Sequence, residues 1–308
     1  MKVAVIKGGR SLERVVSLRS GARVEDALSR LGHEVLPIDA GGDLVRHLKR
    51  ERPDVAFIAL HGPGGEDGTV QELLEILAIP YTGSGVAACG RSMDKVVSKR
   101  ILREHGIPTP DWVAFNATAF RELGAADAME EIEARLGFPL VVKPAAQGSS
   151  LGVRFAAGRE QVPEALVAAF SYDERVLLER HVAGRELAVS LIDGQPLPAV
   201  EIAPNEADRF NYEARYEIGR TTYTCPAQLG TELEAAVAEL AGATWSALGC
   251  AGFARVDLMV GDDGPQVLEV NAIPGLTDTS LLPMACDAAG IGFEEFVRRA
   301  IELAIRDR

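Results

Sequence analysis

Long apolar runs, clustered cysteines and basic stretches are all missing from this sequence. No segment approaches the roughly 20 apolar residues that a membrane-spanning helix needs, and the apolar part of the leading MKVAVIKGG is too short for a signal peptide. The four cysteines, Cys89, Cys225, Cys250 and Cys286, lie far apart without CxxC spacing, which argues against a zinc site or a disulfide framework and fits a reducing cytoplasm. A net charge of -13, unrelieved by any basic run, opposes binding to nucleic acid or anionic membrane. GxGxxG and GxxxxGK[ST] are also absent, so the Rossmann and P-loop readings lose their main support. Lysine is scarce: six of the 32 basic residues are Lys (2, 7, 49, 95, 99 and 143), and none follows Lys143. A coding bias towards Arg accounts for most of this. Because Arg and Lys differ as phosphate ligands, however, Lys95 and Lys143 stand out as candidates.

What is present begins with VDLMVGDDGPQVLEVNAIPG, residues 256 to 275. Two apolar runs flank a Gly/Asp/Pro-rich turn, the pattern of a hairpin. Side chains alternate along a strand, so Glu269 and Asn271 share a face, and Asp257 on the partner strand can join them. Carboxylates buried together need a positive charge between them. A solvated sheet face would suit one acidic residue; for this trio Mg²⁺ is the better reading. Mg²⁺ is usually shared with substrate phosphates, which implies a nucleotide.

The chain is long enough for two or three domains. Strand, loop and helix patterns alternate over its first ninety residues: Val3 to Ile6, then Val24, Ala27, Leu28 and Leu31 at helical spacing, then strands near 34–38 and 55–60. Such alternation predicts an open parallel sheet with helices on both faces and ligands at the carboxyl ends of its strands. GGRSLER (8–14) and HGPGGEDG (61–68) lie at those ends. A helix is expected from Ser92 to Gly106 and another near 118–136, followed by the strand-loop-strand FPLVVKPAAQGSSLGVRF. An Asp-Gly hairpin from about 184 precedes some twenty polar and aromatic residues, a length typical of lids and binding loops. The expected class is α/β, turning to α+β in the central and C-terminal parts. The expected domains are 1–92 (open parallel sheet, substrate), 93–183 (central) and 184–308 (lid loop and metal hairpin).

Residues 148–152, GSSLG, satisfy the GxSxG pattern of serine hydrolases, which requires a helix after the turn. A strand is expected there instead, and the only following histidine, His181, is too near in sequence. A Gly-Ser loop laying backbone N–H groups over phosphates is the preferred reading.

GGRSLERVVSLRSG, HGPGGEDGTVQELLEILAIPYTGSGV, SMDKVVSK, VVKPAAQGSS, FNYEARY and EVNAIPGLTDTSL, in this order, resemble the D-alanine–D-alanine ligase family of ATP-grasp enzymes over essentially the whole chain. The resemblance implies an ATP-grasp fold behind the N-terminal sheet. It also implies formation of a D-Ala-D-Ala dipeptide for peptidoglycan through an acyl phosphate, with ATP and Mg²⁺ (two ions, Mn²⁺ a possible substitute), in a cytoplasmic homodimer that binds neither nucleic acid nor membrane. Carried over by position, Lys95, Lys143, Ser150 and Arg215 meet ATP phosphates, Glu179 and Val182 flank adenine, and Glu186 meets ribose. Asp257, Glu269 and Asn271 hold the metal. Glu13, with Ser149 and Tyr216, binds the amino group of the first D-alanine, and His61 lies near its carboxylate. Arg255 and the Gly275 N–H stabilise the oxyanion, while Ser280 and Leu281 clamp the second carboxylate. Taken singly, Glu13 reads as a helix-start carboxylate, Tyr216 as packing, Arg255 as a surface charge and Ser280 as a cap; their joint spacing favours the site.

The chain departs from the family at three places: Asn211 stands for Asp, Arg215 for Lys, and Gln147 for a frequent Glu. Tyr216 is retained, which favours an amine over a hydroxy acid as second substrate. Two alternatives are a ligase for other D-amino acids and a catalytically silent ATP-binding module.

Overall fold

The computed structural model describes residues 1–204 and 221–306. The chain opens with β1 (Lys2–Lys7), α1 (Arg14–Arg30), β2 (Glu34–Asp39), α2 (Leu44–Glu51), β3 (Val55–Ile58) and α3 (Thr69–Ile76). The apolar spacing foreseen in α1 buries Val24, Ala27 and Leu28 completely. As expected the strands pair in parallel, in the order β2-β1-β3, and both loops picked out at their carboxyl ends lie together, with the Ser11 hydroxyl donating to His61 O at 2.6 Å.

The helix expected from Ser92 is two: α4 (Val86–Met93) and α5 (Lys95–Glu104). Asp94 separates them in an extended conformation, and its carboxylate caps α5 by accepting from the N–H groups of Val96 (2.9 Å) and Val97 (3.0 Å). After β4 (Trp112–Asn116) the helix expected at 118–136 is also broken, into α6 (Ala117–Glu122), a 3-10 turn and α7 (Met129–Leu136). Gly124, with φ at +71°, marks the break. Then come β5 (Leu140–Pro144), β6 (Arg154–Ala156), α8 (Val162–Phe170) and β7 (Arg175–Arg180), which make an antiparallel sheet of order β4-β7-β5-β6.

The remaining sheet collects β8 (Arg185–Ile192), β9 (Gln195–Pro196), β10 (Val200–Pro204), β11 (Thr221–Thr224), β12 (Phe253–Gly261) and β13 (Gly264–Asn271). Its described strands are antiparallel, in the order β11-β10-β8-β12-β13, and α9 (Thr231–Leu248) packs on it through Val237, Ala241, Trp245 and Leu248. Two helices complete the chain, α10 (Leu281–Ala288) and α11 (Phe293–Arg306). The last does not stay with its neighbours in sequence. Phe296, Val297, Ala300 and Ile301 of α11 share one core with Val3, Val5, Val24, Phe57 and Phe253, so the end of the chain covers the first sheet.

Candidate functional site

The hairpin read from residues 256–271 is β12 and β13, turning at Asp262 and Asp263. Arg255 pairs with Asn271 and Asp257 with Glu269. Because residues two apart share a face, these four side chains form one polar block. A bulge at Leu268 sits immediately before Glu269, where it can re-aim the strand. The Arg255 guanidinium grips both oxygens of Asp257, at 2.7 and 2.8 Å. Lys95 Nζ lies 3.2 Å from a Glu269 oxygen. Burial pushes the Glu269 carboxyl up, but Lys95, Lys143 and Arg255 outweigh it and hold it at about 2. Asn271 Oδ1 is buried and has no hydrogen-bond partner among the described residues. An orphaned amide oxygen is costly, and beside two carboxylates it suits a hard divalent cation. The residues present therefore fit Mg²⁺.

Lys95 reaches the site because it is the first residue of α5, whose cap and turn direct it at two partners. Besides Glu269 it donates to Gln147 O at 2.6 Å, anchoring the GSS loop. That loop follows β5 and leads to strand β6, not to a helix, with Ser149 and Ser150 at φ values of 50° and 55°. The hydrolase geometry is thus absent, and His181 lies edge-on against Phe155. Ser149 Oγ donates to Glu13 Oε1, a contact across 136 residues. A Cβ added at Gly148 would come within 3.0 Å of Glu13 Oε2, and one at Gly62 within 2.5 Å; two glycines leave this carboxylate its room. Burial, then the nearby Glu66 carboxylate, push Glu13 above its usual range, against the opposing influence of Ser149, His61 and Lys95.

His61 is buried between loops, with Nε2 3.0 Å from Ser20 Oγ and Nδ1 3.1 Å from Ile273 O. Its place is set by α1, whose inner face also receives Gly8 N–H on Ser17 (2.8 Å) and Leu276 N–H on Ser20 (3.1 Å). One turn further, Arg23 donates to Leu276 O and Thr277 O, both at 3.1 Å, and pairs with Asp278 at 3.0 Å. This helix therefore holds the loop carrying Gly275 and Ser280. There Ser280 Oγ accepts from Thr277 N–H at 3.0 Å, and a Cβ on Gly275 would stand 2.8 Å from that oxygen. Leu281 is the first residue of α10.

Among the residues expected to meet the nucleotide, Lys143 of β5 donates to Glu179 of β7 at 2.8 Å. Val182 follows β7, and a Cβ on Gly261 would meet its Cγ1 at 2.8 Å, so the hinge segment lies against the hairpin turn. Glu186 is buried on β8, where its backbone is in register with Met259. Tyr216 and Arg215, with the departure Asn211, lie outside the described residues. Sequence reading overlooked Lys99, which is completely buried against Glu179. The scarcity of lysine that singled out Lys95 and Lys143 applied to Lys99 as well, and its position one turn after Lys95 was a second signal.

An N-terminal parallel sheet, followed by two antiparallel sheets that enclose paired lysines, an acidic hairpin and a Gly-Ser loop, defines an ATP-grasp ligase. Residues 40–84 match the profile described as the D-ala D-ala ligase N-terminus, and residues 101–302 the one described as its C-terminus. The D-alanine–D-alanine ligase of Syntrophotalea carbinolica is 46% identical over 97% of this chain and 95% of its own length. The crystal structure of the ligase from Bacillus anthracis superimposes with a TM-score of 0.88 at 39% identity, covering 100% of this chain and 98% of that one. Its complex with ATP gives 0.85 at 37% identity, with the same coverage. VanG D-Ala:D-Ser ligase from Enterococcus faecalis also gives 0.85, but at 28% identity over 99% of both chains. The chain belongs to the D-alanine–D-alanine ligase family, ATP-dependent enzymes that form a peptide bond.

Proposed function

We propose that this enzyme joins two D-alanine molecules, and that the residues gathered above divide the work. The reading rests on one line of contacts: Glu13 to Ser149, the adjoining Gln147 carbonyl to Lys95, and Lys95 to Glu269. A line with a partly buried carboxylate at one end and a lysine paired with an acidic hairpin at the other suits an ammonium group beside phosphate and metal. Glu13 and Ser149, with Tyr216 from the long loop, hold the amino group of the first D-alanine, and His61 lies towards its carboxylate. Glu179 and Val182 receive adenine, Glu186 the ribose, and Lys95, Lys143, Ser150 and Arg215 the phosphates.

A carboxylate is a poor electrophile, so the γ-phosphoryl group of ATP is first transferred to it, giving an acyl phosphate and ADP. Asp257, Glu269 and Asn271 would hold Mg²⁺, which when bound neutralises charge on the transferring group. Arg255 already occupies Asp257, but each carboxylate oxygen keeps a further lone pair for a cation. The amine of the second D-alanine, held through its carboxylate by Ser280 and Leu281, then attacks the acyl carbon. Arg255 and the Gly275 N–H stabilise the tetrahedral oxyanion; its collapse breaks the bond to phosphate and leaves the peptide. The enzyme is proposed to work as a homodimer in the cytoplasm, and no described helix is long and apolar enough to cross a membrane.

The test is release of ADP and phosphate from MgATP with D-alanine, L-alanine, D-serine or D-lactate, with products identified by mass. D-Alanine should give the dipeptide, and Glu269→Gln should lower turnover by about 100-fold or more. Faster turnover with D-serine or D-lactate would reassign the substrate. No ADP with any of them would leave an ATP-binding module.

A further inference from the structure

Lys99 is the one lysine near the nucleotide region to which the proposed reaction gives no task. It lies on the inner face of α5, one turn beyond Lys95, with no exposed surface at all. Its ammonium meets Glu179 Oε2, Thr109 Oγ1 at 2.5 Å and Pro110 O at 3.3 Å, and the Trp112 ring lies 5.5 Å away. Glu179 in turn gives its other oxygen to Lys143 at 2.8 Å. The Thr109 hydroxyl, accepting from Lys99, donates in turn to Val267 O at 2.8 Å. Val267 is on β13, two residues before Glu269. One buried cation therefore touches the wall that carries Glu179 and, through a single hydroxyl, the strand that carries the metal ligands.

A methionine would fill this space without the cost of burying an ammonium group, so packing alone gives no reason for the charge. The carboxylate gives one. With both cations Glu179 stays ionised inside the core, each oxygen directed at one of them, and Lys143 is held ready on its strand. With Lys143 alone, one carboxylate oxygen would be buried without its charged partner, and the carboxylate could turn away from the nucleotide. We propose that Lys99 is a positioning residue for ATP, fixing Glu179 and through it Lys143, and tying both to β13 through Thr109. The inference rests on the assignment of Lys143 and Glu179 to the nucleotide.

Burial pushes the Lys99 ammonium down to about 8, Lys143 and Arg103 act in the same direction, and Glu179 opposes them. The charged and titratable groups facing it are thus Glu179 from β7, Lys143 from β5 and Arg103 from its own helix. Loss of its proton above pH 8 should loosen the hold on ATP.

The experiment measures ATP binding by calorimetry without amino acid, and KM for ATP and for D-alanine, in the wild type, Lys99→Met, Glu179→Gln and the double variant. Lys99→Met should weaken ATP about tenfold and leave KM for D-alanine within about twofold; the double variant should match Glu179→Gln alone, because the two residues act as a unit. Between pH 7 and 9.5 the wild type should lose ATP affinity and Lys99→Met should not. A variant that only melts earlier, with ATP constants unchanged in the folded protein, overturns the proposal. If Lys99→Met does not fold, the double variant, which removes both members of the Lys99–Glu179 pair, decides: ATP binding clearly weaker than in Glu179→Gln alone, or equal to that of the wild type, overturns it. A wild type that binds ATP but makes no dipeptide removes the D-alanine reading and leaves Lys99 to be judged on binding. One that binds no ATP removes both.

Discussion

Glu13 shows what a single side chain contributes and what surrounds it must supply. An ordinary carboxylate would hold an ammonium group at any pH above its usual range, but this one is buried with Glu66 nearby and titrates higher. The sign follows directly: the charged form is present above the raised value and is lost as pH falls through it. KM for the first D-alanine should therefore rise on the acid side sooner than an ordinary Glu would allow, while ATP binding measured at the same pH stays level. Glu13→Gln should show the high KM at every pH, with no acid limb of its own. Neither Glu13 nor Ser149 advertised the contact between them, since 136 residues separate them. Resemblance to a family aligned them; local pattern could not.

Among the elements, α1 does more than cover the sheet. Its inner face bears Ser17, Ser20 and Arg23 at successive turns, and these hold the loops after β1, β3 and β13. Arg23 also stacks over Phe293, 3.8 Å from the ring centroid. Arg23→Met keeps the bulk but releases two carbonyls and Asp278. The expected result is a several-fold rise in KM for the second D-alanine, whose proposed clamp Ser280 is on the same loop, with KM for ATP unchanged; equal changes in both would count against this role. The elements that local pattern revealed were those whose period and turns agree, such as the 256–271 hairpin and the β1-α1-β2 start. The breaks at Asp94 and Gly124 were hidden because apolar spacing runs through them. The bond from Arg23 to Leu276, across 253 residues, has no local signature.

At the scale of the whole molecule, the three sheets are not independent bodies strung in order. Phe296 of α11 meets Phe253 of β12 edge-on at 5.2 Å, and Phe253 stacks on Phe57 of β3 at 6.3 Å. Residues from the beginning, the middle and the end of the sequence thus make one aromatic contact, although the sequence had suggested separate regions. Phe296→Ala removes the α11 end of that contact and should cost about 3–5 kcal/mol. Thermal unfolding followed by near-ultraviolet circular dichroism and by calorimetry should shift together, as one transition. A variant that loses only the N-terminal sheet, leaving ATP protection of the remainder intact, would show that this core is not shared.

The covering of β1 and β3 by α11 also bears on the order of events during translation. The strands β1, β2 and β3 leave the ribosome well before α11, which completes the cover of one face of their sheet. Until then Val3, Val5 and Phe57 have α1 beside them but not α11, and the nascent chain leaves part of that apolar strand surface open, of the kind that chaperones bind. Glu13 and His61, in the loops at the ends of those strands, meet Ser149 and Ile273 only once those later segments are made, so a ribosome-bound chain that stops short of them would carry residues of the proposed first D-alanine site without the site itself.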